Sequence, residues 1–337
     1  MFKTIHVIII MVIKMKITVL GAGAYGTALS TVLEENKNEV TIWSAFKDEI
    51  DYLQTNNESP KLKGIKLSEN FKFTTDLKEA ITNKDLIIIA TPTGAVDDVT
   101  KQMQEYYNGT PICAISKGIE QDTCLFVYDV IKKYLKTDEI AIMSGPSFAI
   151  DVANKVPVGL TLAGQNKKAI DTIYKAFANN HFKLRKSYDI VGTEVCGAIK
   201  NVIAIASGIL SGLGLPESTI AMLITESLHD IKELIKGLGG NGSTVYSFAG
   251  FGDLLLTATS TKSRNFSFGK LIGEGASQKE IDKYIKSTTV EGLYTLKSVR
   301  KLVDNKAVEM PIIDLINDII YNGKNPKTLI DFLIQKP

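Results

Sequence analysis

The chain is poor in the residues that build metal centres and nucleophilic hydrolases. Its 337 residues include three histidines, His6, His181 and His229, and three cysteines, Cys113, Cys124 and Cys196. None falls in HExxH, HxH or CxxC spacing and no GxSxG elbow occurs, so a metal site, a disulfide framework and Ser-His catalysis are not expected. Scattered, unpaired cysteines agree with a cytosolic protein. Arginine is scarce as well: Arg185, Arg264 and Arg300 are the only three among 39 basic residues. Against 37 acidic residues these leave a net charge of +2, too weak a field to gather nucleic acid or an anionic membrane. Any cation that binds a ligand must act locally.

Internal repeats and low-complexity linkers are absent too. The apolar run Ile5 to Ile13 in MFKTIHVIIIMVIK is too short to span a bilayer, and no small-residue cleavage site follows it. It reads as an extension, residues 1–14, ahead of a working start at Met15, with no stable membrane association; the alternative is a membrane-attached variant held by those residues. The remaining length exceeds one ordinary core, so two domains are expected.

From Lys16 onward short β-branched runs alternate with helical spacing: KITVL (16–20), EVTIW (39–43), DLIIIA (85–90), PICAIS (111–116), IAIM (140–143) and VGLTLA (158–163). Such alternation specifies a parallel, doubly wound α/β sheet. After about Val195 long helical stretches take over, at 195–213, 219–238, 279–286, 291–304 and 311–320, predicting an all-α C-terminal domain. The expected division is 15–194 and 195–337.

The segment KITVL-GAGAYG-TALSTVLEE sets Gly21, Gly23 and Gly26 between a strand and an amphipathic helix, the context of a Rossmann dinucleotide loop. The helix start offers free N–H groups to a pyrophosphate. The acidic residue expected near the end of the second strand is missing; Trp43-Ser44-Ala45-Phe46-Lys47 stands there, which leaves NAD and NADP both open.

Five further segments bear on the chemistry. In VCGAIKNVIAIASGILSGLGLP (195–216) Lys200 is the single charge in an apolar run. Two readings are open: an amine made a proton donor by desolvation, with Asn201 orienting substrate, or a lysine that snorkels to water. SKGIE (116–120) follows a strand at the sheet edge where ligands bind, which suits Lys117 to a phosphate or carbonyl oxygen. SGPSFA (144–149) makes a turn that presents Ser147. AGFGDLLLTATSTKSRNFSFG (249–269) joins Asp253 to a polar loop with Ser263, Arg264 and Asn265, donors suited to phosphate. TTVEG (288–292) puts Glu291 at a helix start, where capping is the simpler role.

Taken together, GAGAYG, SKGIE, SGPSFA, GAIKNVIAI, GFGDLLLT, SRN and VEG resemble the NAD(P)-dependent glycerol-3-phosphate dehydrogenases in order and spacing from Met15 to the end. The resemblance implies a Rossmann domain, a helical domain and a cleft between them. It also implies a cytoplasmic homodimer that interconverts dihydroxyacetone phosphate and sn-glycerol 3-phosphate with NAD or NADP for phospholipid synthesis. By motif, Lys200 matches the acid/base lysine, Asp253 the group that holds it, and Lys117 the lysine near both substrate and cofactor. Gly145, Ser147, Asn201, Ser263, Arg264 and Asn265 match substrate contacts. Ala24, Tyr25, Ala149, Arg264, Val290 and Glu291 match the cofactor side. Departures are Ala45 where the family has His or Arg, Glu226 in ITESL for ITRGL, Pro216-Glu217-Ser218-Thr219 for GxN-T, and Asp151 for Glu. The competing readings are a 3-hydroxy acid or ketopantoate reductase, which needs a carboxylate pocket, and a dinucleotide sensor without turnover.

Overall fold

The computed structural model describes residues 14–303 and 308–335. The extension expected over residues 1–14 lies outside this range except for Lys14. Strands and helices alternate through the first half: β1 (Lys16–Leu20), α1 (Ala24–Glu35), β2 (Glu39–Trp43), α2 (Lys47–Asn56), β3 (Glu58–Ser59), β4 (Leu62–Lys66), β5 (Lys72–Thr74), α3 (Leu77–Ile81), β6 (Leu86–Ile89), α4 (Thr93–Met103), β7 (Ile112–Ala114), α5 (Val127–Leu135), β8 (Ile140–Ser144), α6 (Ala149–Ala153), β9 (Val158–Gly164), α7 (Lys167–Phe177) and β10 (Phe182–Ser187). Helices follow: α8 (Ile190–Gly212), α9 (Glu217–Gly237), α10 (Asp253–Ala258), α11 (Arg264–Gly273), α12 (Gln278–Ser287), α13 (Glu291–Leu302), α14 (Pro311–Tyr321) and α15 (Thr328–Gln335). A 3-10 turn at Gly242–Tyr246 and a π turn at Phe248–Gly252 lie between α9 and α10.

The main sheet runs β10-β9-β8-β7-β6-β1-β2-β5, with β3 and β4 forming a separate antiparallel pair. Strand order reverses between β1 and β6, which opens a crevice at their C-terminal ends. Helices cover both faces, so a run such as LIII in β6 is buried throughout. The wholly parallel sheet expected from the alternation is corrected at one place: β9 pairs antiparallel with β8, Ala141 opposite Gly164. The connection holds only the five-residue α6 and does not carry the chain back across the sheet. The SGPSFA turn and the start of β9 therefore stay at the same edge as the crevice. The unforeseen β10 closes that flank, with Phe182 and Leu184 inward and charged residues outward, as suits an edge strand.

Helix α8 is the axis of the helical layer. Every residue from Gly192 to Leu210 is buried, consistent with a helix apolar on all sides. By length and apolarity it is the one described helix fit to cross a membrane, and 89% of that window is covered by the protein itself. Its cover comes from α9, α10, α11, α13, α14 and α15. It begins at Ile190, so the division expected at 194/195 falls within it. Helix α11 crosses it almost backbone to backbone: a Cβ on Gly208 would stand 2.0 Å from the Phe266 carbonyl oxygen, and one on Gly269 would stand 1.9 Å from that of Ile205. The polar loop expected around Ser263-Arg264-Asn265 is thereby corrected, because only Thr259 to Ser263 is loop and Arg264 already opens α11.

Candidate active site

The glycine loop follows β1 directly. Gly21 has φ +123°, and a Cβ there would lie 2.8 Å from the backbone of Ala90 at the end of β6. A Cβ on Gly26 would lie 2.3 Å from the Gly21 oxygen, so α1 packs tightly on the turn. Gly23 differs, since nothing lies within 4 Å of where its Cβ would be. It is the N-cap of α1, and no side chain caps that helix. Open space in front of uncapped N–H groups fits a dinucleotide pyrophosphate. The residues of the loop thus fit the cofactor that the sequence motif implies.

Tyr25, in the first turn of α1, reaches Ser147 Oγ at 2.5 Å, and Ser147 donates to the Gly145 carbonyl at 3.3 Å. The SGPSFA turn is therefore locked to the glycine loop. Burial raises the Tyr25 phenol above its ordinary value, which keeps it a neutral donor. Ala149 starts α6 beside this turn and is half-buried.

Three charged side chains from three elements meet on the helical side. Lys200 Nζ donates to Asp253 Oδ1 at 2.7 Å and to Thr257 Oγ1 at 3.1 Å. Lys117 Nζ, from the loop after β7, donates to Asp253 Oδ2 at 2.7 Å and to the Gly145 carbonyl at 3.3 Å. The Asp253 side chain is 2% exposed, so both of its oxygens are committed to these ammonium groups. Burial opposes the carboxylate charge, but the two lysines hold its carboxyl below the usual range. Burial pushes Lys200 down to about 8, only partly offset by Asp253. Lys117 sits above the usual amine range, because Asp253 and then Tyr25 outweigh its burial. Of the two lysines, Lys200 is the one poised to exchange a proton near neutrality. The snorkelling reading of Lys200 is set aside, because its ammonium ends on Asp253 and not in water.

A second buried network lies one residue along. Asn201 donates to Glu291 Oε2 at 3.1 Å and accepts from Asn265 Nδ2 at 3.0 Å, while the Gly292 N–H donates to Asn265 Oδ1 at 2.9 Å. Asn201 and Asn265 thus join α8, α11 and the start of α13. Glu291 is the first residue of α13, after the buried Val290, and it spends an oxygen on Asn201. Ser263 caps α11 by accepting from the Phe266 N–H at 3.3 Å. Arg264 is exposed and forms no salt bridge among the described residues. The structure therefore gathers Lys117, Lys200 and Asp253 in one constellation and Asn201, Asn265 and Glu291 in another.

A cleft of about 370 Å³ opens beside Lys117, lined by Pro92, Gly94, Gly118, Glu291 and Tyr294 among others. Sequence reading missed the Pro92-Thr93-Gly94 turn, although it follows β6 at the ligand-binding edge of the sheet. It also missed Thr257, one helical turn after Asp253 and on the same face.

Comparison with known proteins shows the family. The model described as NAD-dependent glycerol-3-phosphate dehydrogenase N-terminus matches residues 16–170, and the C-terminus model of the same family matches 189–331. The chain is 38% identical over 313 residues to a glycerol-3-phosphate dehydrogenase (NAD(P)+) of Thermoanaerobacter sp. strain X514, covering 93% of this chain and 94% of that one. It is 36% identical over 326 residues to the Bacillus subtilis enzyme of the same name, covering 95% and 94%. A crystal structure of glycerol-3-phosphate dehydrogenase from Coxiella burnetii superposes with a TM-score of 0.89 at 32% identity, over 96% of this chain and 99% of that one. A ketopantoate reductase from Ralstonia eutropha, at 12% identity and a TM-score of 0.57, shares the fold alone.

Proposed function

The chain belongs to the NAD-dependent glycerol-3-phosphate dehydrogenase family, and from that membership we propose how its residues divide the work of interconverting dihydroxyacetone phosphate and sn-glycerol 3-phosphate. The chemistry that NAD(P) would supply when bound is hydride exchange with the carbon of the substrate carbonyl. Gly23, Ala24 and Gly26 would hold its pyrophosphate at the uncapped start of α1. In the reducing direction Lys200 gives its proton to the carbonyl oxygen, and in the oxidising direction it takes that proton back. Lys117 places a second positive charge beside the same oxygen, and Asp253 fixes both lysines. Arg264, at the N-terminus of α11, grips the substrate phosphate with Ser263. Asn201, Asn265 and Glu291 set the spacing of α8, α11 and α13 around it. Gly145, Ser147 and Tyr25 shape the floor, with Ala149 and Val290 on the cofactor side.

The observation that carries this reading is the Lys117–Asp253–Lys200 arrangement with Lys200 held near neutrality. A retained proton donor also speaks against a sensor without turnover. Lys200→Ala is expected to lower kcat for dihydroxyacetone phosphate by about 10²–10⁴, with dinucleotide affinity unchanged, read from NADH absorbance and calorimetry. Near-normal turnover would remove Lys200 from the mechanism.

On the same footing, the dinucleotide part runs from Met15 to the end of β10 and the helical part opens with α8 at Ile190, and the enzyme works as a cytoplasmic homodimer that supplies glycerol 3-phosphate for phospholipid synthesis. We propose no stable membrane association through α8: among the described residues it is the one helix long and apolar enough to cross a membrane, and 89% of that window is buried within the protein. Sedimentation and activity of residues 15–337 test the dimer and the dispensability of the extension together.

A further inference from the structure

We infer that Glu49 reads the 2′ position of the adenosine ribose and makes this chain select NAD(H) over NADP(H), an inference that rests on the dinucleotide reading above. The strand-end acid that normally meets the ribose is absent, and Ser44 follows Trp43 in its place. The Gly21 N–H donates to the Trp43 carbonyl at 2.8 Å, so the end of β2 lies against the glycine turn. A dinucleotide with its pyrophosphate on α1 must set its adenosine ribose beside Ser44.

Ser44 presents a carboxylate at that place. Its buried hydroxyl donates to Glu49 Oε2 at 2.7 Å and accepts from the Phe46 N–H at 3.2 Å. The Glu49 side chain is 27% exposed, so it is both anchored and reachable. Phe46 beside it is 68% exposed, an open aromatic face at the strand end. The acid missing from the strand is thus returned from the first turn of α2.

The surrounding charges disfavour a 2′-phosphate. Asp48 adds a second carboxylate in the same turn. The nearby cations already have partners: Lys61 pairs with Glu49 Oε1, and Lys47 lies 3.5 Å from Asp51. A bidentate phosphate clamp needs arginine, and the three arginines are employed elsewhere. Arg185 lies over the Phe248 ring, Arg300 pairs with Asp314 and Arg264 opens α11.

The test is calorimetric binding of NADH and NADPH, without substrate, to the full chain and to Glu49→Gln, which keeps the side-chain shape and an acceptor for Ser44. Wild type is expected to bind NADH about tenfold tighter or more, about 1.4 kcal/mol. Glu49→Gln should shrink that ratio severalfold at unchanged Tm, and Ser44→Ala should move it the same way. Equal or tighter binding of NADPH by wild type, or a ratio unchanged in Glu49→Gln, overturns the role of Glu49 alone. Failure of wild type to bind either dinucleotide overturns the reading beneath it as well.

Discussion

One carboxylate serving two lysines decides which of them releases a proton. Lys117, Asp253 and Lys200 titrate as a unit, and burial loads the loss onto Lys200, at about 8. Reduction requires Lys200 protonated, so kcat/KM for dihydroxyacetone phosphate should fall as pH rises through about 8, whereas oxidation of glycerol 3-phosphate should rise over the same interval. Asp253 favours the charged amine, so Asp253→Asn should shift both breaks to lower pH and lower kcat. Matched pH–rate profiles of the two proteins check this, and an unmoved break would detach Asp253 from Lys200. Lys200 was legible in the sequence because it is the lone charge in an apolar stretch, where an amine must find a partner or a water path. Its partnership with Lys117 through Asp253 was not legible, because Lys117 and Asp253 stand 136 residues apart and only the fold joins them. The Asn201–Asn265 bond is hidden for the same reason, and both residues read as free donors until their amides are seen to face each other.

Among elements, the α8–α11 crossing governs where the substrate-side groups stand. Gly208 and Gly212 on α8 face Gly269 and Gly273 on α11, each pair spaced by one helical turn. Gly269→Ala places a methyl 1.9 Å from a backbone carbonyl, where no rotamer relieves it. The helices must separate, at about 1–3 kcal/mol, and Ser263 and Arg264 move with α11. The expected result is a lower urea midpoint and a raised KM for dihydroxyacetone phosphate, while NADH affinity holds; an unaltered KM would uncouple the crossing from the site. The glycine loop, β1, β2 and β6 to β9 were legible as elements because each rests on local pattern. Helix α11 was not, because its polar start and paired glycines imitate a turn when the facing glycines of α8 are unseen. Strand β10 escaped because its outward half is charged, as its edge position requires.

At the scale of the molecule, Glu194 ties the helical layer to the sheet layer. It sits on α8, and its Oε1 accepts from the Tyr128 N–H at 2.9 Å, in the first turn of α5. Burial raises its carboxyl to about 8. The folded chain keeps a proton there that the unfolded chain sheds, so this contribution to stability is full at acid pH and is lost as pH rises through about 8. Glu194→Gln retains the acceptor and removes the titration. Its urea midpoint should decline less than that of wild type between the ordinary carboxyl range and about pH 8, and parallel declines would count against Glu194 as the titrating group.

The buried axis of the helical layer also bears on how the protein is made. Helix α8 leaves the ribosome before the helices that cover it, from α9 through to Leu329 and Leu333 on α15. A nascent chain released before α11 is made lacks the helix that crosses α8 backbone to backbone, and leaves part of a stretch long and apolar enough for a bilayer uncovered. Synthesis of this enzyme thus contains an interval in which its most apolar helix is open to chaperones, membranes and other copies, and that interval narrows as α9, α10, α11, α13 and α14 are added in turn.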